Sequence, residues 1–260
     1  MVIHKGGANA CILLGRVLKG LNARLVSASG GGKDNVIPRQ AEACVAVEGE
    51  AEALLRQVRE WEAVLQKEYA STDPELCVKA KVLGEASIAL TETSTQKCVD
   101  FLTLAPNGVM VMSPYFKGLV QTSLNLGVLT CGEEFSAGFS LRSSLASQKN
   151  MLVEKLEALI RLLGGTMKLS GEYPAWEYRE QSPLRETAVA VYRELYGKAP
   201  EVNVVHGGLE CGILAEKLPG LDVISYGPDI PQIHTVQEKM SISSVARVWD
   251  FTLELLKRLK

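Results

Sequence analysis

Val204-Val205-His206-Gly207-Gly208-Leu209-Glu210-Cys211-Gly212 is followed by Asp222-Val223-Ile224-Ser225-Tyr226-Gly227-Pro228-Asp229, and then by Ile233-His234-Thr235-Val236-Gln237-Glu238-Lys239. Short, β-branched apolar runs end in glycine-rich loops, with helical periodicity between them over 208–218. The pattern predicts strands over 202–205 and 221–226. It also predicts a helix from Pro183 to Tyr196 capped by Ser182, and a closing helix over 241–259. Strand, helix, strand, helix with short apolar strands is the signature of a parallel sheet with both faces covered. Two strands do not make a stable sheet of that kind, so 183–260 reads as a piece of a larger α/β domain.

Toward the N-terminus the texture changes. Helices are expected over 4–21, 48–69, 95–104 and 147–163, with Thr93, Ser94 or Thr95 capping the third and Ser147 the fourth. Strands are expected over 23–29, 41–47, 76–86, 119–130 and 134–144, the last two as antiparallel neighbours. Gly30-Gly31-Gly32-Lys33-Asp34-Asn35 reads as a loop, and Pro106-Asn107-Gly108 as a helix stop. This is an α+β layer with helices on one side of a sheet. The organisation expected is therefore an α+β domain over 1–170, a linker over 171–182 rich in Gly, Pro, Trp and Tyr, and the α/β segment over 183–260. The overall class is α/β.

Composition narrows the function classes. The chain has 260 residues, 47% of them hydrophobic and 22% charged, with a formal net charge of −2. A sizeable core is available, and no strong field of either sign points to nucleic acid or an anionic membrane. Apolar runs break off before ~18 residues, which argues against a membrane span, and the first 21 residues lack a clean cleavage site. The six cysteines are scattered with no metal-knuckle or redox spacing, so reduced thiols in a cytoplasm are expected.

Several residues are candidates for chemistry. His234 follows a predicted strand in a loop, the usual place for a ligand in an α/β domain; it is either a metal ligand or a loop histidine bonded to backbone. His206 and Glu210 flank a strand-to-helix turn. Glu210 there either holds an ammonium group or favours the helix start. Arg142, amid Ser140, Ser143 and Ser144, suits a carboxylate through paired hydrogen bonds, and Asn125 on the preceding strand suits a peptide carbonyl. Either one alone is an ordinary surface residue in most proteins. Glu133-Glu134 reads as a turn, since neighbours in a strand point to opposite faces. The three glycines at 30–32 lack the Lys-Ser or Lys-Thr of a phosphate loop. No nucleophile elbow and no His-Glu-x-x-His segment occurs.

In combination these residues resemble the bacterial aminoacyl-histidine (Xaa-His, beta-alanyl-histidine) dipeptidases, dinuclear-zinc metallopeptidases related to carboxypeptidase G and carnosinase. The resemblance rests on His206 to Gly212, Ser225 to Pro228 and His234 to Lys239. It extends to Thr122-Ser123-Leu124-Asn125-Leu126-Gly127, Ser140 to Ser144, and Ile3 to Ala10, where Gly7 stands in place of the family's usual arginine. It implies that residues 1–170 are a lid and dimerisation domain inserted into a catalytic α/β domain, of which 183–260 is the C-terminal return. The family's His-x-Asp segment, bridging aspartate, Glu-Glu pair and further aspartate all precede the lid, so only the last metal ligand maps here, to His234. Glu133-Glu134 lies within the lid and is no substitute. A family lid histidine just before Ile3 has no counterpart either.

The resemblance further implies hydrolysis of dipeptides by a two-zinc centre, with cobalt or manganese as alternatives, in which the metals activate a water and the first glutamate of the pair moves its proton. Arg142 would bind the substrate carboxylate and Asn125 its backbone, with Glu210 and His206 near the amino end or the metal shell. No catalytic set is complete in this chain, so the expectation is an inactive portion of a homodimeric dipeptidase that binds no metal tightly by itself. The alternative expectation is a non-enzymatic dimerisation module, or the C-terminal half of a split peptidase.

Overall fold

The computed structural model describes residues 3, 6–85, 88–204, 209–233 and 235–260. The chain divides into two compact units, Met1–Gly171 and Glu172–Lys260.

Unit 1 runs α1 (Ala10–Lys19), β1 (Arg24–Gly31), β2 (Ala41–Ala46), α2 (Glu52–Glu68), α3 (Glu92–Leu104), β3 (Gly108–Met112), β4 (Val120–Cys131), β5 (Phe135–Ser143) and α4 (Ala146–Leu163). The strands form one open, antiparallel sheet. β5 lies along one side of β4. The other side of β4 is shared end to end by β3, which pairs with 120–124, and β1, which pairs with 128–131. β2 pairs with the outer side of β1.

Leu25 and Ala28 of β1 and Leu126, Leu129 and Cys131 of β4 pack with Cys11, Leu18, Val99, Phe101 and Leu102 of α1 and α3 in the main core, with irregularities in register after Leu25 and after Leu126. Phe101 meets Phe135 and Phe139 edge-on, with ring centroids 5.2 and 6.0 Å away. α1 and α3 approach closely at Gly15, where a Cβ would lie 2.5 Å from Leu102 Cβ. The other side of α1 meets α2 through Leu13, Val17 and Leu65. Arg16 reaches across with two bonds to Glu68, at 2.6 and 2.9 Å.

Several local expectations are corrected. α1 begins at Ala10, capped by Asn9, whose side-chain oxygen accepts from Cys11 N and Ile12 N. α3 is capped by Thr91, which precedes the three residues expected. Leu145, with no side-chain cap bond, stands at the cap position of α4 in place of Ser147. β1 continues through Gly30 and Gly31, which the glycine run disguised as loop. β3 was hidden behind the helix stop. The strand expected over 76–86 does not form among the described residues 76–85. Side chains of α2 hold this segment instead: Gln66 donates to Leu76 O and Glu62 accepts from Val78 N.

Unit 2 contains α5 (Pro183–Tyr196), α6 (Glu210–Lys217) and α7 (Ile242–Arg258). Ser182 caps α5 as expected, and Asp222 reinforces it by accepting from Ser182 Oγ at 2.6 Å and Leu184 N at 2.9 Å. Its core is small: Ala188, Val191, Phe251 and Leu255, with Tyr192, Tyr196 and Ile224 against them. The predicted strands at 202–205 and 221–226 are not formed among the described residues, where 202–204 and 221–226 belong to no ladder. A strand requires a neighbour, and none is assigned to either segment. No helix among the described residues is long and apolar enough to cross a membrane.

Candidate functional site

The polar face of the β4–β5 hairpin holds two of the predicted site residues. In the register, Asn125 opposes Ser140 and Ser123 opposes Arg142, so Asn125 and Arg142 share one face as diagonal neighbours, about 7–8 Å apart at the backbone. Arg142 is exposed. Asn125 is buried, and its amide nitrogen donates to Asp34 O at 2.8 Å and Val36 O at 3.0 Å. Its side-chain oxygen accepts from Asn9 Nδ2 at 3.2 Å. Both donors are therefore used in pinning the β1–β2 loop to β4, and no N–H is left for a peptide carbonyl.

Asn125 belongs to a cluster that the sequence reading missed. β4 changes partner at Leu126, between its ladders with β3 and β1. Asn107 Oδ1 accepts from Leu126 N at 2.8 Å, and Asn9 Nδ2 donates to Leu126 O at 2.9 Å. Two side-chain amides thus replace the backbone partners missing from the joint, as buried peptide groups require. The loop closes tightly here: Gly31, at φ +70°, would place a Cβ 2.0 Å from Gly127 O. An asparagine directly before an apolar helical run was the available signal for Asn9.

A second polar cluster lies farther along the hairpin. Thr122 bonds to Ser143 at 2.8 Å and also to Gln148, which accepts from Gln121 Nε2 at 3.1 Å. Among the described residues every buried side-chain nitrogen and oxygen has a partner. This cluster ties the β4–β5 hairpin to the first turn of α4.

Glu210 is the first residue of α6 and is exposed. Burial pushes the neighbouring Cys211 thiol up, and the Glu210 charge adds to the effect. His206 and His234 lie outside the described residues, as does His4. Among the described residues no group of three or more His, Cys, Asp or Glu side chains is placed to hold a metal ion. The cysteines are free thiols. Burial pushes Cys11 up to about 11 and Cys98 up to about 12, with Cys131 beside the latter. At neutral pH both are protonated and poor nucleophiles.

No family model matches the chain. It is 34% identical over 263 residues to the cytosol non-specific dipeptidase of Escherichia coli K12, a match covering 99% of this chain and 54% of that protein. It is 22% identical over 193 residues to the uncharacterized protein YqjE of Bacillus subtilis, covering 69% of this chain and 50% of that one. Among solved structures, the aminoacylhistidine dipeptidase of Vibrio alginolyticus superposes with a TM-score of 0.86 at 31% identity, over 96% of this chain and 52% of that one. The alignments run through both units, and the chain spans about half the length of the curated relatives it matches. With identity and backbone agreeing over nearly all of its residues, the chain is a homologue of the aminoacylhistidine and non-specific dipeptidases.

Proposed function

We propose that this chain forms the lid and C-terminal portion of a metal-dependent dipeptidase acting on Xaa-His-type substrates, and that it hydrolyses no peptide by itself. The observation that carries the reading is the 34% identity to the E. coli dipeptidase over 99% of the chain. In this reading unit 1 is the lid, through which the protein forms a homodimer. Exposed Arg142 receives the dipeptide carboxylate, a match of charge and of paired-donor geometry. Asn125 acts indirectly, by fixing the loop beside that face. Glu210 and His206 lie toward the amino end of the substrate, and His234 is the metal ligand this chain contributes. The protein works in the cytoplasm, where the six cysteines stay reduced and where the name of the E. coli relative places that protein.

The family implies zinc, and the ligand assigned to this chain, His234, lies outside the described residues. A catalytic site needs about three protein donors held together, and no such group occurs among them. The test is an amine-release assay on beta-alanyl-histidine and on a non-histidine dipeptide, with zinc, cobalt or manganese added to the purified chain. The expected result is no turnover by the chain alone. Sustained hydrolysis that an Arg142→Ala variant abolishes would overturn the proposed inactivity.

A further inference from the structure

We infer that Asn107 is a modification site: its carboxamide is lost to attack by the Gly108 nitrogen when the joint at Leu126 opens, and is kept while Asn9 holds that joint shut. Asn107-Gly108 is the only asparagine–glycine pair in the 260 residues. Deamidation is least hindered at such a pair, because glycine brings no Cβ against the approaching carboxamide. The nitrogen of Gly108 gives its proton to hydroxide and attacks Cγ of Asn107. The Cγ–Nδ2 bond breaks and ammonia leaves. Water then opens the five-membered imide at either carbonyl, giving aspartate or isoaspartate at position 107.

The surroundings permit this chemistry and restrain it. Both residues are half-buried, and a Cβ built on Gly108 would meet nothing within 4 Å, so water has access from that side. Gly108 is the first residue of β3, opposite Leu124, where a ladder frays most readily. The restraint acts on the carboxamide. Its oxygen accepts from Leu126 N at 2.8 Å and from Asn9 Nδ2 at 3.3 Å. Ring closure draws Cγ onto the Gly108 nitrogen, and these two bonds resist that movement. Asn9 Nδ2 also donates to Leu126 O at 2.9 Å, which fastens the residue that holds Asn107. Protection thus depends on a side chain about a hundred positions away, at the cap of α1.

The change is one-way, and its two products differ. Aspartate keeps an oxygen where Leu126 N needs an acceptor. Isoaspartate leaves its carboxylate directly on Cα, one carbon short of Leu126 N, and lengthens the chain entering β3 by one atom. A chain that reacts with its N-terminal segment free therefore loses the acceptor that closes the sheet.

The test is incubation of the 260-residue chain at mildly alkaline pH, with aspartate and isoaspartate at 107 measured by peptide mapping and mass spectrometry. The same chain unfolded in guanidinium chloride sets the unrestrained rate, and the native chain should react at least ~10-fold more slowly. Asn9→Ser keeps an oxygen to cap α1 but loses the amide, and should raise the native rate at least ~3-fold. Asn9→Asp, of unchanged side-chain length, should do the same. Thr91→Ala, which uncaps α3 at its far end, should leave the rate unchanged. Circular dichroism verifies that each variant is folded. Equal rates in native and unfolded chain, indifference to both Asn9 variants, equal acceleration by Thr91→Ala, or no product at 107 even in the unfolded chain would each overturn the inference.

Discussion

In unit 1, Leu25, Leu124, Leu126 and Leu129 are at most 1% exposed, Leu124 against Leu152 and Leu156 of α4 and the others in the core completed by α1 and α3. In unit 2 the buried apolar set among the described residues is Ala188, Val191, Phe251 and Leu255, while Ile242, Trp249, Leu253 and Leu256 stand in solvent. Both regions carry apolar patterning of similar strength. They differ in whether each patterned face meets another within the chain. A helix or strand is only as stable as the surface it is packed against, so the buried faces of unit 1 are held more firmly than α7, whose outer stripe is exposed.

The largest effect that bears on this contrast is in the closed core. Leu126→Ala should destabilise unit 1 by about 2–5 kcal/mol, measured as a fall in the urea midpoint together with faster exchange of β4 amides. A loss confined to unit 2 peptides would break the distinction.

Next comes the joint in the sheet. Asn107→Ala leaves Leu126 N buried without its acceptor and should cost about 1–3 kcal/mol. Asn107→Asp retains an acceptor oxygen and should recover part of the loss, which separates the hydrogen bond from simple packing.

The smallest effect is expected in unit 2, at Asp222. Burial pulls this carboxyl up, but Ser182 Oγ, Leu184 N and the charges of Arg179 and Arg185 outweigh it, so its pKa lies below the ordinary value. Its contribution is fully present above the unfolded carboxylate pKa of about 4 and is lost as pH falls through the lowered folded value. Asp222→Ala should cost about 1–2 kcal/mol at neutral pH, and the difference from wild type should shrink in acid. A pH-independent difference would show that Asp222 acts by shape alone.

The sequence was legible where a local rule decides the outcome. Pro183 behind Ser182, the apolar periodicity of α4, and the antiparallel pairing of β4 with β5 all read directly. It was misleading where structure depends on distant partners. Gly30 and Gly31 look like a loop until the strand from 128–131 is laid beside them. Leu76 and Val78 look like a strand, yet α2 takes their backbone groups. Asn125 looked like a ligand-facing amide, but its neighbours Asp34 and Val36 lie some 90 positions away and carry no local signature. Arg142 could be placed on its strand by pattern, and its sharing a face with Asn125 follows from register alone.

The shared edge of β4 also bears on the order of assembly. β4 and β5 are joined by a short turn and can zip together on the microsecond scale typical of hairpins. β3 enters from just upstream. β1 arrives from roughly a hundred positions away and must meet β4 at 128–131, just past the stretch 120–124 that β3 occupies. Long-range closure is slow, so a nascent hairpin with β3 attached waits with half of one edge bare. Asn9, tethered to the start of α1, serves as a latch: it engages Leu126 O only after the distant N-terminal segment has docked.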